Sequence, residues 1–468
     1  MLSYRKLAMR VLGRPLHTGG SDSPRPASQR AAAFALTAAM LITLAAPAFA
    51  GTWYIENGDI TVKAGESGND VTQNNVTTKN DTNTIITNQK TDKASSNTVT
   101  IEANGKNDKV EVTLKDVNID TSSRNNAAVS VTGSGNTTIK LDGDNHLTGG
   151  ISDNGSYGLS GISSSGSLTI SGGETDSLTA QGGSGTDGSG GSGITSLGSL
   201  TISGGTVNAA GGDGTNSNGG GDGITNNRGV TISSGGTVTA KGGSGEDGSG
   251  GRGISSFGGV TISSGGTVTA TGGNSTGSDG SGGDGISSTS TTISGGTVTA
   301  DGGSGNFSGG NGIRSFDVAI SGGTVNVAGG NGGNGSGSDV GNGIYSSDID
   351  LSGSLELTAK AGSPNGKALS QRGNELDLDD IKDKLGPGAK VTAINANGDS
   401  KQVSIPRPVE PEEPVIPGDS SSSSGGGSAD ASVQESVFPG LVVTDKDGQR
   451  ISYTSTQSGN TLTVCVGR

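Results

Sequence analysis

Cysteine, histidine and aromatic residues are nearly absent from this 468-residue chain. A single cysteine, Cys465, excludes an intramolecular disulfide, so stability has to come from backbone pairing and packing. Cys465 itself reads as a small hydrophobe in a terminal strand. Of two histidines only His146 lies beyond residue 50, which leaves a His-based triad or dyad without residues. In the stretch GDNHL it reads as a solvated turn residue. Basic residues are outnumbered, 30 Lys and Arg against 44 Asp and Glu, giving a net charge of -14. An acidic chain argues against nucleic acid as a partner, because phosphates demand a basic face. Proline is scarce, 12 residues, and no strict G-x-y period exists, so the 90 glycines do not signal collagen. No i, i+3, i+4 apolar pattern occurs over 151–360, and glycine costs about 1 kcal/mol per helical position, so helices are excluded there.

What is present begins with an export signal. Arg5, Lys6, Arg10, Arg14, Arg25 and Arg30 precede an apolar, Ala-rich run from Ala31 to Ala48. It closes in Ala48-Phe49-Ala50, a small-x-small cleavage pattern. The run is short and ends in this pattern, which favours export over a membrane anchor. Removing 1–50, with six bases and one acid, takes five positive charges away and leaves about -19 on 51–468. No later segment is apolar enough to span a bilayer, so a secreted or cell-surface location without a transmembrane span is expected.

The body repeats itself. A Gly-Ile pair recurs at Ile162, Ile194, Ile224, Ile254, Ile286, Ile313 and Ile344, 27 to 32 residues apart. Each Ile is followed by an apolar pair two residues apart, such as Leu200/Ile202 or Val260/Ile262; one coil keeps only Ile293. A third pair follows, such as Val207/Ala209 or Val268/Ala270. The consensus is G-I-x-S-x-G-x-L/V-T-I-S-G-G-T-V-T-A, then a Gly/Ser/Asp loop of variable length. Apolar residues two apart, with Thr or Ser between, mean strands with one buried face. Three such strands bury nothing alone, but stacked coils bury continuous columns. The fold class expected is therefore all-β, a parallel β-helix of about 30 residues per coil. A β-propeller would need blades of about 40 to 50 residues. Gly-Gly pairs are expected to supply positive φ at the corners. Thr201, Thr231, Thr261 and Thr292 should form an outward ladder. Counting Val110–Ile119 and Val129–Leu147, about nine coils are expected, a rod roughly 40 Å long.

The domain organisation follows: 1–50 signal peptide; 51–405 β-helix with N- and C-terminal caps; 406–436 a Pro/Glu then Ser/Gly linker; 437–468 a small C-terminal β module. Within the C-terminal cap, Glu375–Leu385 reads as a short helix, acids early and lysines late, and 391–394 and 402–405 as strands.

Several residues carry candidate chemistry. Asp187, Asp213, Asp247, Asp279 and Asp301, with Glu246 and Asp339, sit at the glycine-rich corners of stacked coils. They read either as calcium ligands or as charge that keeps loops solvated; the apolar residue that ends true calcium-binding β-roll repeats is missing. Asp222, Arg252 and Asp284 share a column just before Gly-Ile, a pattern that surface charge complementarity also produces. Phe257 and Phe316 share another column two coils apart, with Leu197 in line, while Tyr345 and Phe307 are scattered. These aromatics read either as a glycan platform or as cover on the helix surface.

The phrases SLTISGGTVNAAGG (199–212), GVTISSGGTVTAKGGSG (229–245), GGDGISSTSTTISGGTVTADGG (282–303) and VEVTLKDVNIDTSSRNNAAVSVTGSGNTTIKLDGDNHLTGG (110–150) resemble a family of bacterial extracellular carbohydrate-binding domain-containing proteins. The match covers about 100–360. It implies a right-handed parallel β-helix, binding of plant-type polysaccharides including acidic ones, and bound calcium. No binding motif of the family maps residue by residue onto this chain. The function expected is a non-catalytic carbohydrate-binding surface protein, with calcium-assisted binding of acidic polysaccharide. The alternatives are a structural or adhesive rod without a glycan ligand and, behind it, a polysaccharide lyase.

Overall fold

The computed structural model describes residues 50–215, 218–333 and 341–407, and two further strands, Tyr453–Ser458 and Thr461–Val466. The expected signal peptide, apart from Ala50, the linker from 408 onward and most of the C-terminal module lie outside these residues.

The body is an all-β parallel β-helix. Its first strands stack in one column, Ile60, Val99, Val129, Ile162, Ile194, Ile224, Ile254, Ile286, Ile313, Ile344 and Leu369, each paired in register with the next. That makes eleven rungs rather than nine, ten inter-strand steps of about 4.8 Å, or roughly 50 Å. The two additional rungs, Ile60–Ala64 and Leu369–Gln371, lie inside the caps, and neither is preceded by Gly-Ile nor carries the repeat's Gly-Gly-Thr-Val phrase. Second strands stack Val112, Ile139, Ile170, Ile202, Ile232, Ile262, Ile293, Ile320 and Leu351; third strands stack Ala180, Ala209, Ala240, Ala270, Ala300, Val327 and Ala359. All are buried in one core. The outward ladder Thr201, Thr231, Thr261, Thr292 forms in register.

In the coil that keeps only Ile293, the missing apolar position is the buried Thr291. Its Oγ1 lies 2.7 Å from Ser315 Oγ and 2.8 Å from Ser288 Oγ, so the hydroxyl is paired inside the core.

Glycine does two different jobs. Between second and third strands it turns the chain with positive φ, as at Gly235 (φ +83) and Gly265 (φ +85). The long Gly/Ser loops do something the repeat pattern did not announce. Their glycines form a continuous backbone chain: Gly251 N donates to Gly243 O, Gly273 N to Gly251 O, Gly283 N to Gly273 O, Gly303 N to Gly283 O and Gly310 N to Gly303 O, at 2.7–2.9 Å. These residues are buried. A Cβ on any of them would strike a carbonyl oxygen of a neighbouring coil. The loop is thus a second core made of backbone alone.

Antiparallel hairpins cover both ends. Asn69–Gln73 pairs with the first rung and Val76–Asp81 pairs with Asn69–Gln73 in turn; Ser400–Ser404 pairs with Lys390–Ile394 at the other end. Open rungs would otherwise be edges ready for aggregation. The expected helix at Glu375–Leu385 is a 3-10 helix, Leu378–Lys384, capped by Asp377, whose carboxylate accepts from Asp379 N. Only Leu378 and Ile381 are buried, and a spacing of three suits the three-residue turn. Glu375 lies in a short strand before it, accepting from the Ala368 and Leu369 amides.

The remaining two strands form a separate antiparallel hairpin, Tyr453 opposite Val466 and Thr454 opposite Cys465. Among the described residues no helix is long and apolar enough to cross a membrane.

Candidate functional site

One column just before the first strands builds a trough. Its members are Ser192, Asp222, Arg252, Asp284, Asn311 and Asn342. The backbone N–H at this position faces the side chain of the preceding coil. Asp222 Oδ1 accepts from Arg252 N (2.7 Å) and Asp284 Oδ1 from Asn311 N (2.8 Å). Asn311 Oδ1 accepts from Asn342 N (3.0 Å), and Asn342 Oδ1 from Lys367 N (2.9 Å). Asp and Asn are therefore selected here because a short side chain ending in an acceptor reaches the next coil's amide. Charge is secondary: Arg252 Nε stands 3.9 Å from Asp284 Oδ2, a long contact.

The trough holds about 420 Å³ and crosses five coils, from Asp222 to Tyr345. Its floor is backbone, Gly219, Gly220, Gly250, Gly251, Gly282 and Gly283 among others. Arg252, Arg314, Tyr345 and Phe307 project around it. The Arg314 guanidinium lies 6.0 Å from the centre of the Tyr345 ring. Among the described residues Arg314 forms no ion pair. Asp222 is occupied at both oxygens, by Arg252 N and by Thr225 Oγ1 (3.0 Å). Asp284 is buried and its Oδ1 also accepts from Asn311 Nδ2 (2.8 Å). A second depression of about 510 Å³, lined by Asn126, Ser160, Ser163 and Ser192, begins earlier in the same column.

Tyr345 thus lines the trough. Phe257 and Phe316 do not; they stand beside it. In the strand Ile313–Ala328, Ile313 and Ser315 are buried while Arg314 and Phe316 are exposed on one outward face. Phe257 and Phe316 are 75% and 67% exposed, with Thr289 in the coil between them, and Leu197 in the same line is 48% exposed. The corner beneath them is held by hydroxyls, those of Ser256 and Ser346 buried and that of Ser288 half-buried: Ser256 Oγ donates to Gly259 O, Ser288 Oγ to Ser290 O and Ser346 Oγ to Phe316 O.

The five aspartates are not brought together. Asp187, Asp247 and Asp279 are exposed in three different coils. Asp213 accepts from Ser244 N (2.7 Å), the same coil-to-coil role that Asp222 plays. Asp301 is not in a loop; it ends the strand Ile286–Asp301, beside Thr271, where burial raises its pKa above the usual carboxylate value. Asp339 lies outside the described residues. Among the described residues no three or more His, Cys, Asp or Glu converge, so the donors present do not make a calcium cage. His146 is exposed on an outward strand position between Asn118 and Thr179, away from the trough.

The glycine chain and the Asx ladder are what the residue-by-residue reading missed. A signal for both was present: Gly-Gly doublets at Gly242/Gly243, Gly272/Gly273 and Gly302/Gly303 keep the coil period, and Asp213, Asn274 and Asn331 recur at every second coil, with Ser244 and Ser304 between.

No family model, no curated protein and no solved structure matches this chain.

Proposed function

We propose that this is a secreted, cell-surface bacterial protein that binds acidic polysaccharide without catalysis, in the trough between Asp222 and Tyr345. The observation that carries the reading is the makeup of that trough: a rigid backbone floor crossing five coils, with Arg252, Arg314, Asn311, Asn342 and Tyr345 around it. Its two acids are engaged by backbone, hydroxyl and amide donors, which leaves Arg314, and Arg252 with only a long contact to Asp284, as the charges available to a ligand. Guanidinium groups suit carboxylates, and a tyrosine ring suits a sugar face. The same engagement of Asp222 and Asp284 argues against their use as a general acid and base. The basic, apolar and small-residue succession of 1–50 supports export. The resemblance of the repeat phrases supports carbohydrate as the ligand class.

The test is a glycan array followed by calorimetry with polygalacturonate, in calcium and in chelator. Binding is expected in both conditions, because no carboxylate cage is assembled. Replacing Arg252 and Arg314 together by alanine should weaken it at least about tenfold, since each charge-assisted pair contributes roughly 1.5–3 kcal/mol. Absence of binding to any glycan in either condition would leave the structural-rod reading. Release of unsaturated uronide from polygalacturonate would replace binding by lysis.

A further inference from the structure

Leu197, Phe257 and Phe316 form a line of exposed apolar side chains that the trough does not use. Its members occupy every second coil; Asn227 stands between the first two and Thr289 between the last two. The inter-coil step is about 4.8 Å, so successive apolar groups are about 9.6 Å apart along the rod. Phe316 projects from a regularly paired strand; Phe257 lies where the register shifts by one residue between Ser256 and Gly259, and there Thr289 Oγ1 donates to its carbonyl while Ser256, Ser288 and Ser315 hydroxyls hold the corner, so both positions are set before any ligand arrives.

A protein partner would call for a contiguous apolar patch. Here polar residues interrupt the line at every other coil. An extended β-1,4-linked pyranose chain has the matching chemistry. One sugar advances the chain by close to one coil step. Each sugar is flipped relative to the last, so the same ring face points the same way only at every second residue. Phenyl rings two coils apart meet those faces, and Asn227 and Thr289 meet the hydroxyl edges between.

We propose that this line is a second glycan site, on which an extended β-1,4-linked polysaccharide lies parallel to the rod axis and stacks alternate sugars on Phe257 and Phe316. The proposal rests on the carbohydrate reading above but not on the trough.

The experiment compares cellohexaose, maltohexaose and polygalacturonate by calorimetry on the full chain. Three proteins are needed: wild type, Phe257→Ala with Phe316→Ala, and Phe316→Thr with Thr289→Phe. The last keeps two rings but sets them one coil apart. All substituted positions are outward, so the circular dichroism spectrum should match wild type; only Thr289→Phe removes a hydrogen bond, from Thr289 Oγ1 to Phe257 O, and is expected to lower the melting temperature slightly without unfolding the stack. Wild type is expected to bind cellohexaose and not the α-linked maltohexaose. Both variants should lose cellohexaose at least about tenfold while retaining polygalacturonate. Cellohexaose bound equally by wild type and the ring-shifted variant overturns the proposal, because apolar area without period would then suffice. Polygalacturonate bound with cellohexaose ignored overturns it alone; no glycan bound at all overturns it together with the trough reading.

Discussion

Gly283 and Gly235 are the same residue type under two different constraints. A Cβ on Gly283 would enter the carbonyl oxygen of Gly251, and neither backbone can move without breaking the chain of glycine bonds on both sides. Gly235 has nothing within 4 Å; only its φ of +83 matters. Gly283→Ala should therefore cost at least about 3 kcal/mol, and Gly235→Ala about 1–2 kcal/mol, the ordinary penalty for a left-handed alanine. Urea unfolding of the two variants measures the difference; equal costs would mean that the loop glycines are not packed. Asp301 makes a second prediction. Burial raises its pKa, so ionisation opposes folding, and the contribution present below the unfolded carboxylate range is lost as pH rises through the folded value. Asp301→Asn should raise the melting temperature at pH 7, with the gain over wild type disappearing near pH 3.

At the scale of the element, the caps are held by charge where the coils are held by ladders. Arg124 grips Asp59 with two nitrogens, Nη1 to Oδ1 at 3.0 Å and Nη2 to Oδ2 at 3.2 Å, and also donates to Ser96 O. Asp59 further accepts from Thr98 N at 2.7 Å. Burial pushes the Asp59 pKa up, but Arg124 and Thr98 together outweigh it and the pKa is lowered. A lowered acid stabilises above its unfolded value and stops doing so as pH falls through the folded one. The N-terminal cap should thus loosen in acid, below the usual carboxylate range, before the coils do. Trp53, the chain's one tryptophan, hydrogen-bonds Asp81 in that cap and reports on it by fluorescence. Arg124→Ala should make the Trp53 change occur at higher pH. A Trp53 signal that follows global unfolding in both proteins would show that the clamp is not local.

At the scale of the molecule, each coil touches its neighbours, and register is the only condition for stacking. Deleting 272–301 joins Thr271 to Gly302, which occupy equivalent places before and after one coil: Gly272 N bonds Asp301 O as Gly242 N bonds Thr271 O. The shortened chain should fold cooperatively, with an unchanged β spectrum and a rod about 4.8 Å shorter by small-angle scattering. Deleting half that length should abolish folding, because every inward side chain beyond the cut would meet the wrong column. The in-register deletion also brings Phe257 and Phe316 into adjacent coils, and so should lose cellohexaose as the ring-shifted variant does.

The coil, its three strands and nearly every interior residue were legible in the sequence, because strand burial has a period of two and stacking repeats it at each coil. Ile254 or Val260 is inward for reasons contained in its own phrase. The trough was not legible, since Asp222, Arg314 and Tyr345 belong to three different coils and meet only when the stack sets them side by side. Nor was the role of the acids: Asp213 looked like a metal ligand or solvated charge and Asp222 like one half of a surface charge pair, and their use as acceptors for the next coil's amide appears only when that coil is in place. The loop glycines share this origin. Alone each is a flexible residue; only the approach of neighbouring backbones, closer than any Cβ permits, makes it a buried one. Local pattern therefore determined which way each side chain points, while the tertiary stack decided what it meets there.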